Sequence, residues 1–250
     1  MLVDQRRDMI LETVESKGFV SLQELVEEYG ASESTVRRDL EYLDRIGQIR
    51  RTRGGATYVG ESLTGFDIRQ SQATEEKQSV GRKAAEIIES GETVLLDGGT
   101  TTLEVARHLG GKQLQVVTNS LPTANMLVGA SNIELVLLGG YVYPKTGVAL
   151  GSLTVEALKG IHARRLIMSV GGITETGLFN SNSLLVETER QMMAAADEVI
   201  VVTDSSKLGH SELAHLCPLR DVDRMVVDKG ITDEWKEIVK DHGIELIIAG

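Results

Sequence analysis

Three runs of apolar side chains at helical spacing open the chain. Met9, Ile10, Thr13 and Val14 form one short apolar face. Leu22, Leu25, Val26 and Tyr29 fill positions i, i+3, i+4 and i+7. Val36, Leu40, Leu43 and Ile46 make a third stripe, with Ser34, Arg38, Glu41 and Arg45 pointing the other way. Gly30 is placed to stop the second helix, Ser32 to cap the third and Gly47 to close it. Only Gly30 and Ala31 separate the last two helices, the short glycine-bearing turn of a helix-turn-helix. A basic hairpin pattern follows, Ile49 to Arg53, a Gly54-Gly55 turn suited to positive φ, then Ala56 to Val59. The stretch predicts a winged helix-turn-helix over residues 1–58.

Residues 59–73 are polar with little periodicity and read as a linker into a helix from about residue 74. From residue 92 on, short β-rich runs alternate with helical patterns. Strands are expected at 93–97, 115–118, 134–138, 166–170, 199–203, 224–227 and 245–248. Helices are expected near 102–109, 120–128, 153–160, 184–196 and 232–241. Apolar strands spaced by helices predict an α/β body over residues 74–250, with a doubly wound, mainly parallel sheet.

Charge changes this picture more than composition does. With 41% hydrophobic and 25% charged residues the chain is ordinary for a soluble globular protein. No run approaches the roughly 18 consecutive apolar residues of a membrane span. The charged N-terminus does not read as a secretory signal. The single cysteine, Cys217, cannot form an internal disulfide, which fits a cytoplasmic setting. The net charge of −11 by itself argues against nucleic acid, but residues 34–60 carry six arginines and a net of +3. An acidic body with one basic edge directs DNA to that edge. The residues at the head of the third helix, Ser32, Glu33, Ser34, Thr35, Arg37 and Arg38, are therefore candidates to read the major groove, with Arg51 and Arg53 in the wing.

Ligands of doubly wound sheets bind beyond the carboxyl ends of the strands. The loop Asp97-Gly98-Gly99-Thr100-Thr101-Thr102 runs from a strand into a helix, and its glycines, amides and hydroxyls suit an anion. It also reads as a tight turn with threonine caps. Thr118-Asn119-Ser120, Gly139-Gly140, Gly171-Gly172 and Thr203-Asp204-Ser205-Ser206-Lys207 follow later strands. The last of these sets a lysine where it can pair with a phosphate. No P-loop, dinucleotide fingerprint, metal-ligand spacing or serine-hydrolase elbow occurs, so no cofactor and no metal are expected.

Ser32-x-x-Thr35-Val36-Arg37-Arg38-Asp39-Leu40 followed by Arg51-x-Arg53-Gly54-Gly55-Ala56 resembles the signature of the DeoR family of bacterial regulators. The resemblance extends over nearly the whole chain, with Asp-Gly-Gly-Thr-Thr-Thr, Thr-Asn-Ser and Asp-Ser-Ser-Lys in the family's order. It implies a C-terminal domain similar to ribose-5-phosphate isomerase and a phosphorylated sugar as effector. Thr100, Thr101, Thr102, Asn119 and Lys207 are carried over as effector contacts, beside Asp97 and Gly99 of the same loop. Two departures stand out. Arg53 occupies a place where members often have histidine. Gly171 stands where many members have the acid of Gly-Ala-Asp-Gly-Ile.

These readings together predict a regulator that binds a double-stranded DNA operator as a homo-oligomer, since paired half-sites call for paired domains. A sugar phosphate would modulate that binding, and the resemblance favours repression of a carbohydrate operon. An isomerase-like enzyme is the alternative from another class, disfavoured because Gly171 offers no carboxylate base. A constitutive DNA-binding protein with a purely structural body is the third.

Overall fold

The computed structural model describes residues 3–17, 19–45, 48–52, 54–58 and 66–250. The chain divides into two compact units, Met1–Arg69 and Gln70–Gly250.

In the first unit the three periodic runs become α1 (Val3–Lys17), α2 (Leu22–Tyr29) and α3 (Glu33–Arg45). Their stripes meet: Ile10, Val14, Leu25, Val36, Leu40 and Leu43 are at most 2% exposed. Burying side chains of this size is worth about 1.5–3 kcal/mol each, which holds together a unit too small to have much to spare. Ser21 starts α2 through a capping box. Its hydroxyl accepts the Glu24 amide at 3.2 Å, and the Glu24 carboxylate accepts the Ser21 amide at 2.8 Å. Gly30 ends α2 in the left-handed region (φ 61°), with its amide on Val26 O at 3.0 Å. Ser32 Oγ then accepts the Thr35 amide at 3.3 Å, capping α3. Ile46, Gly47 and Arg53 lie outside the described residues.

The wing differs from expectation in two ways. Its strands β2 (Ile49–Arg51) and β3 (Gly55–Tyr58) are joined by a third, β1 (Phe19–Ser21), in the order β1-β3-β2. Gly55 is required for close approach and not for positive φ: a Cβ there would sit 2.1 Å from Val20 O of β1. Gly55→Ala is therefore expected to cost about 1–3 kcal/mol, and each kcal/mol lowers the melting temperature of so small a unit by roughly 4–8 °C. Gly54→Ala, with open space around it, is the control that thermal denaturation should find nearly neutral.

The linker expectation is corrected in part. Residues 59–65 lie outside the described residues, but Phe66–Ser71 forms a helix, α4, before α5 (Thr74–Ile87).

In the second unit all seven expected strands form one parallel sheet. They are β4 (Thr93–Leu96), β5 (Leu114–Thr118), β6 (Ile133–Leu137), β9 (Ala163–Met168), β12 (Ala196–Thr203), β14 (Arg224–Asp228) and β15 (Glu245–Ala249), in the order β15-β14-β12-β9-β4-β5-β6. Successive residues alternate between two cores. Leu95, Leu166, Met168, Val201 and Met225 face one core, with Leu158 of α8 (Ser152–Leu158), Val186 and Met192 of α9 (Ser183–Ala194) and Val239 of α10 (Asp233–Asp241). Val94, Leu96, Ile167, Ile200 and Val226 face the other, with Val80 and Ala84 of α5, Val105 of α6 (Thr100–Arg107) and Leu127 of α7 (Leu121–Leu127). Helices on both faces make the body doubly wound, as the apolar runs predict. Two short antiparallel additions went unpredicted, the hairpin β7 (Tyr141–Tyr143) and β8 (Val148–Leu150), and the sheet of β10 (Gly172–Thr174), β11 (Gly177–Asn180) and β13 (Ala214–Cys217). Three- and four-residue strands leave almost no period to detect.

Candidate functional site

The outer face of α3 is polar and exposed, with Ser34, Arg37, Arg38, Glu41 and Arg45 on it. Its members differ in what they already hold. Arg37 grips Glu33, Nη2 to Oε1 at 2.6 Å, and Arg51 of β2 reaches Glu41 at 2.9 Å. Ser32, Ser34 and Thr35 form a hydroxyl cluster, with Ser32 Oγ 3.0 Å from Ser34 Oγ and 2.8 Å from Thr35 Oγ1. Arg38 is exposed and has no ion-pair partner among the described residues. Asp39 turns the other way. It is 2% exposed and accepts Arg6 Nε at 2.6 Å and Arg7 Nε at 3.0 Å, tying α3 to α1. The motif thus interleaves groups that face outward with one that assembles the unit.

In the body the strand order reverses between β4 and β9. The chain runs outward from β4 through β5 to β6, then returns to β9 and runs the other way through β12, β14 and β15. The loops after β4 and β9 therefore diverge at a switch point, the place on the carboxyl edge where sheets of this topology bind ligands. The first of these loops is Asp97-Gly98-Gly99. A Cβ on Gly98 would lie 1.9 Å from Val148 Cγ1, and one on Gly99 would lie 2.1 Å from Ser169 Oγ beyond β9. Backbone approaches this closely only where side chains are missing.

The expected contacts fall on three strand ends. Asp97, Gly99 and Thr100–Thr102 follow β4, Asn119 follows the adjacent β5, and Lys207 follows β12, on the far side of β9. Thr102 is fully buried and donates Oγ1 to Gly99 O at 3.0 Å, so its hydroxyl closes the first turn of α6. Asn119 is 1% exposed and donates Nδ2 to Ala149 O at 3.2 Å, while its Oδ1 has no hydrogen-bond partner among the described residues. Lys207 Nζ lies 3.8 Å from Asp204 Oδ2.

One group near Asp97 is not among the expected contacts, because the apolar pattern of its helix accounts for it on sequence. Glu189 of α9 is 2% exposed, and its Oε1 accepts Asn180 Nδ2 at 2.6 Å. Burial, and then the charge of neighbouring Asp97, push its carboxyl well above the ordinary range, against the opposing pull of Asn180. On sequence, Glu189 is indistinguishable from a polar residue on an amphipathic helix. Gly171 has its own explanation here. A Cβ on it would stand 2.9 Å from Glu212 Cγ and 3.2 Å from Asn180 Oδ1, so the space of a side chain at 171 is already filled.

A carboxyl raised in the folded state stabilises the fold most below its ordinary value of 4.5 and loses that contribution as pH rises towards its folded value. Glu189→Gln, which cannot ionise, is expected to flatten the stability profile, so that urea unfolding at pH near 8 finds the variant at least as stable as the parent. An unchanged slope between acid and mildly alkaline pH would show that Glu189 is ionised in the fold.

Among the described residues no group of three His, Cys, Asp or Glu side chains is placed to hold a metal ion, and no helix is long and apolar enough to cross a membrane.

Residues 6–62 match the model of a DeoR-like helix-turn-helix domain, and residues 72–229 that of a DeoR C terminal sensor domain. The chain is 30% identical to the HTH-type transcriptional repressor GlcR of Bacillus subtilis (strain 168), over 99% of this chain and 97% of the relative. It is 27% identical to the HTH-type transcriptional regulator UlaR of Escherichia coli (strain SMS-3-5 / SECEC), over 97% and 98%. Among solved structures, ribose 5-phosphate isomerase A of Methanocaldococcus jannaschii is similar over 54% of each chain, with 19% identity and a TM-score of 0.40.

Proposed function

Because this chain belongs to the DeoR family of transcriptional regulators, we propose that α3 reads an operator and that the carboxyl edge at the β4–β9 switch point senses a phosphorylated sugar or a related metabolite. The chain is a DNA-binding transcriptional regulator, not an enzyme. The observation that carries the reading is the Ser32-capped helix α3, which presents Arg38 outward beside a basic wing on an otherwise acidic chain. A helix entering the major groove head first sets such residues against base edges.

On the sensing side, the amides at the start of α6, with Thr100 and Thr101, suit the phosphate. Lys207 adds positive charge from β12. Asp97 stands at the head of the same loop, and Asn119 and Glu189 suit the hydroxyls of the carbon chain, because a buried amide oxygen or carboxyl with spare valence is stabilised by a hydroxyl partner. The effector shifts operator affinity by binding one state of the regulator more tightly than the other. The relative GlcR is named a repressor, which supports repression as the sign, and the family resemblance supports a carbohydrate operon. A homo-oligomer follows from the half-site geometry.

The test selects bound sequences from a random duplex library, then repeats the gel shift and a thermal-shift screen with a panel of sugar phosphates. Salt-sensitive binding to one enriched, two-fold symmetric sequence is expected, altered by a sugar phosphate that also raises the melting temperature. No enriched sequence would refute the operator reading. Enrichment without response to any panel member would refute the sensing reading alone.

A further inference from the structure

Among the described residues, ten large apolar side chains of the body are at least 40% exposed, and six of them fall in one stretch of the chain. Leu121, Val128, Val136, Leu137, Tyr141 and Val142, each at least 40% exposed, all fall between residues 121 and 142. They belong to the end of the sheet formed by β6, with α7 beside it and β7 following it. Among the described residues β6 pairs only with β5, so it is an outer strand. The Leu138 amide donates to Thr118 O at 2.8 Å, towards β5. The alternation along a strand then turns the amides and carbonyls of Leu135 and Leu137 to the open edge.

Outer strands are ordinarily blunted by lysine, proline or a bulge. This one is not. From Leu135 to Tyr143 there is no charged residue and no proline, and the pairing with β5 runs without a register shift. The opposite outer strand, β15, begins with Glu245, which is ion-paired to Arg224 at 2.9 Å.

We propose that a second copy of this chain pairs antiparallel with β6, about a two-fold axis through Val136, joining two sheets into one. The self-complementary register of β6 selects the occupant, and charge selects the place. Two chains of net charge −11 repel each other over most of their surface and meet at least cost along a neutral run. The register centred on Val136 sets Leu135 opposite Leu137 of the second copy, each pair exchanging both backbone hydrogen bonds. Glu134 then faces Leu138 of the second copy, so no like charges oppose each other. A two-fold contact is isologous and closes at two chains. The pairing rests on the operator reading for its purpose, since that reading needs two DNA-binding units, and on β6 alone for its place.

The experiment uses the full-length chain. Val136 meets its own symmetry mate in a non-hydrogen-bonded pair, with Cα atoms about 4.5 Å apart, which lies within the range a disulfide spans. Val136→Cys is expected to give a cross-linked dimer on mild oxidation. Glu134→Cys is expected not to, and neither is the parent, whose Cys217 is buried. In solution, Leu137→Lys is expected to weaken the dimer by roughly tenfold or more in light scattering, with its melting temperature nearly unchanged because Leu137 is already 45% exposed. Failure of Val136→Cys to cross-link, or an unchanged dissociation constant in Leu137→Lys, overturns the proposal. If the parent is nevertheless dimeric and shifts operator DNA, the edge is wrong and the operator reading stands. A parent that stays monomeric and selects no DNA sequence sinks both.

Discussion

Replacing Asp39 by alanine is expected to unfold the N-terminal unit while leaving the body folded. Asp39 is 2% exposed, and the arginines it holds, Arg6 and Arg7, are 13% and 22% exposed. Removing one side of so buried a set strands the other, at a cost of about 3–5 kcal/mol. Small single units are stable by roughly 0.05–0.15 kcal/mol per residue, so for Met1–Arg69 the loss approaches the whole. Hydrogen exchange should show amides of α1–α3 losing protection while those of β4 and β9 keep it. Operator binding should vanish with the fold, not with a base contact. If Asp39→Ala keeps protection in α3 and loses only DNA affinity, the carboxylate acts at the interface with DNA and its buried geometry is misread.

Arg38→Ala is expected to weaken operator binding by roughly 10- to 100-fold, the value of one good bidentate contact to a base, with the melting temperature unchanged. The exposed position of Arg38 carries this expectation. Arg37→Ala should cost less, because Arg37 must first give up Glu33, to which it is bonded at 2.6 Å. Glu33→Ala then becomes informative: releasing Arg37 and removing an acid from the face should tighten binding to any duplex and steepen its salt dependence. Gel shifts at fixed salt, on the selected operator and on a scrambled duplex, separate these effects. Equal losses on both duplexes for Arg38→Ala would make it a phosphate contact and move base reading elsewhere on α3.

Much of the fold was legible in the chain because burial writes itself into local periodicity. Val36, Leu40 and Leu43 repeat on one face of α3, and Val94, Leu95 and Leu96 are apolar in succession because both faces of β4 are covered. The candidate loops were legible for a related reason, since glycines and hydroxyls cluster where strands end. Shorter pieces were not. β1 and β7 offer three residues each, too few for a period. The capping box at Ser21 and Glu24 was present in the spacing, and it marks the start of α2 more sharply than the apolar pattern does.

The winged helix-turn-helix with its six clustered arginines, the alternation of strands and helices, and the glycine- and hydroxyl-rich loops after the strands were determined by the sequence alone, because each depends on neighbours within a few positions. Only the tertiary structure decided which polar residues are committed inward. Asp39 joins arginines 32 and 33 positions away, and Glu189 is raised by burial and then by Asp97 from a distant segment. It also decided that Gly55 and Gly99 are sites of close approach, that the sheet reverses direction between β4 and β9, and that β6 ends it. The reason is physical. A periodic pattern records that a face is buried, whereas the partner buried against it is set by strand order and packing between segments far apart in the chain.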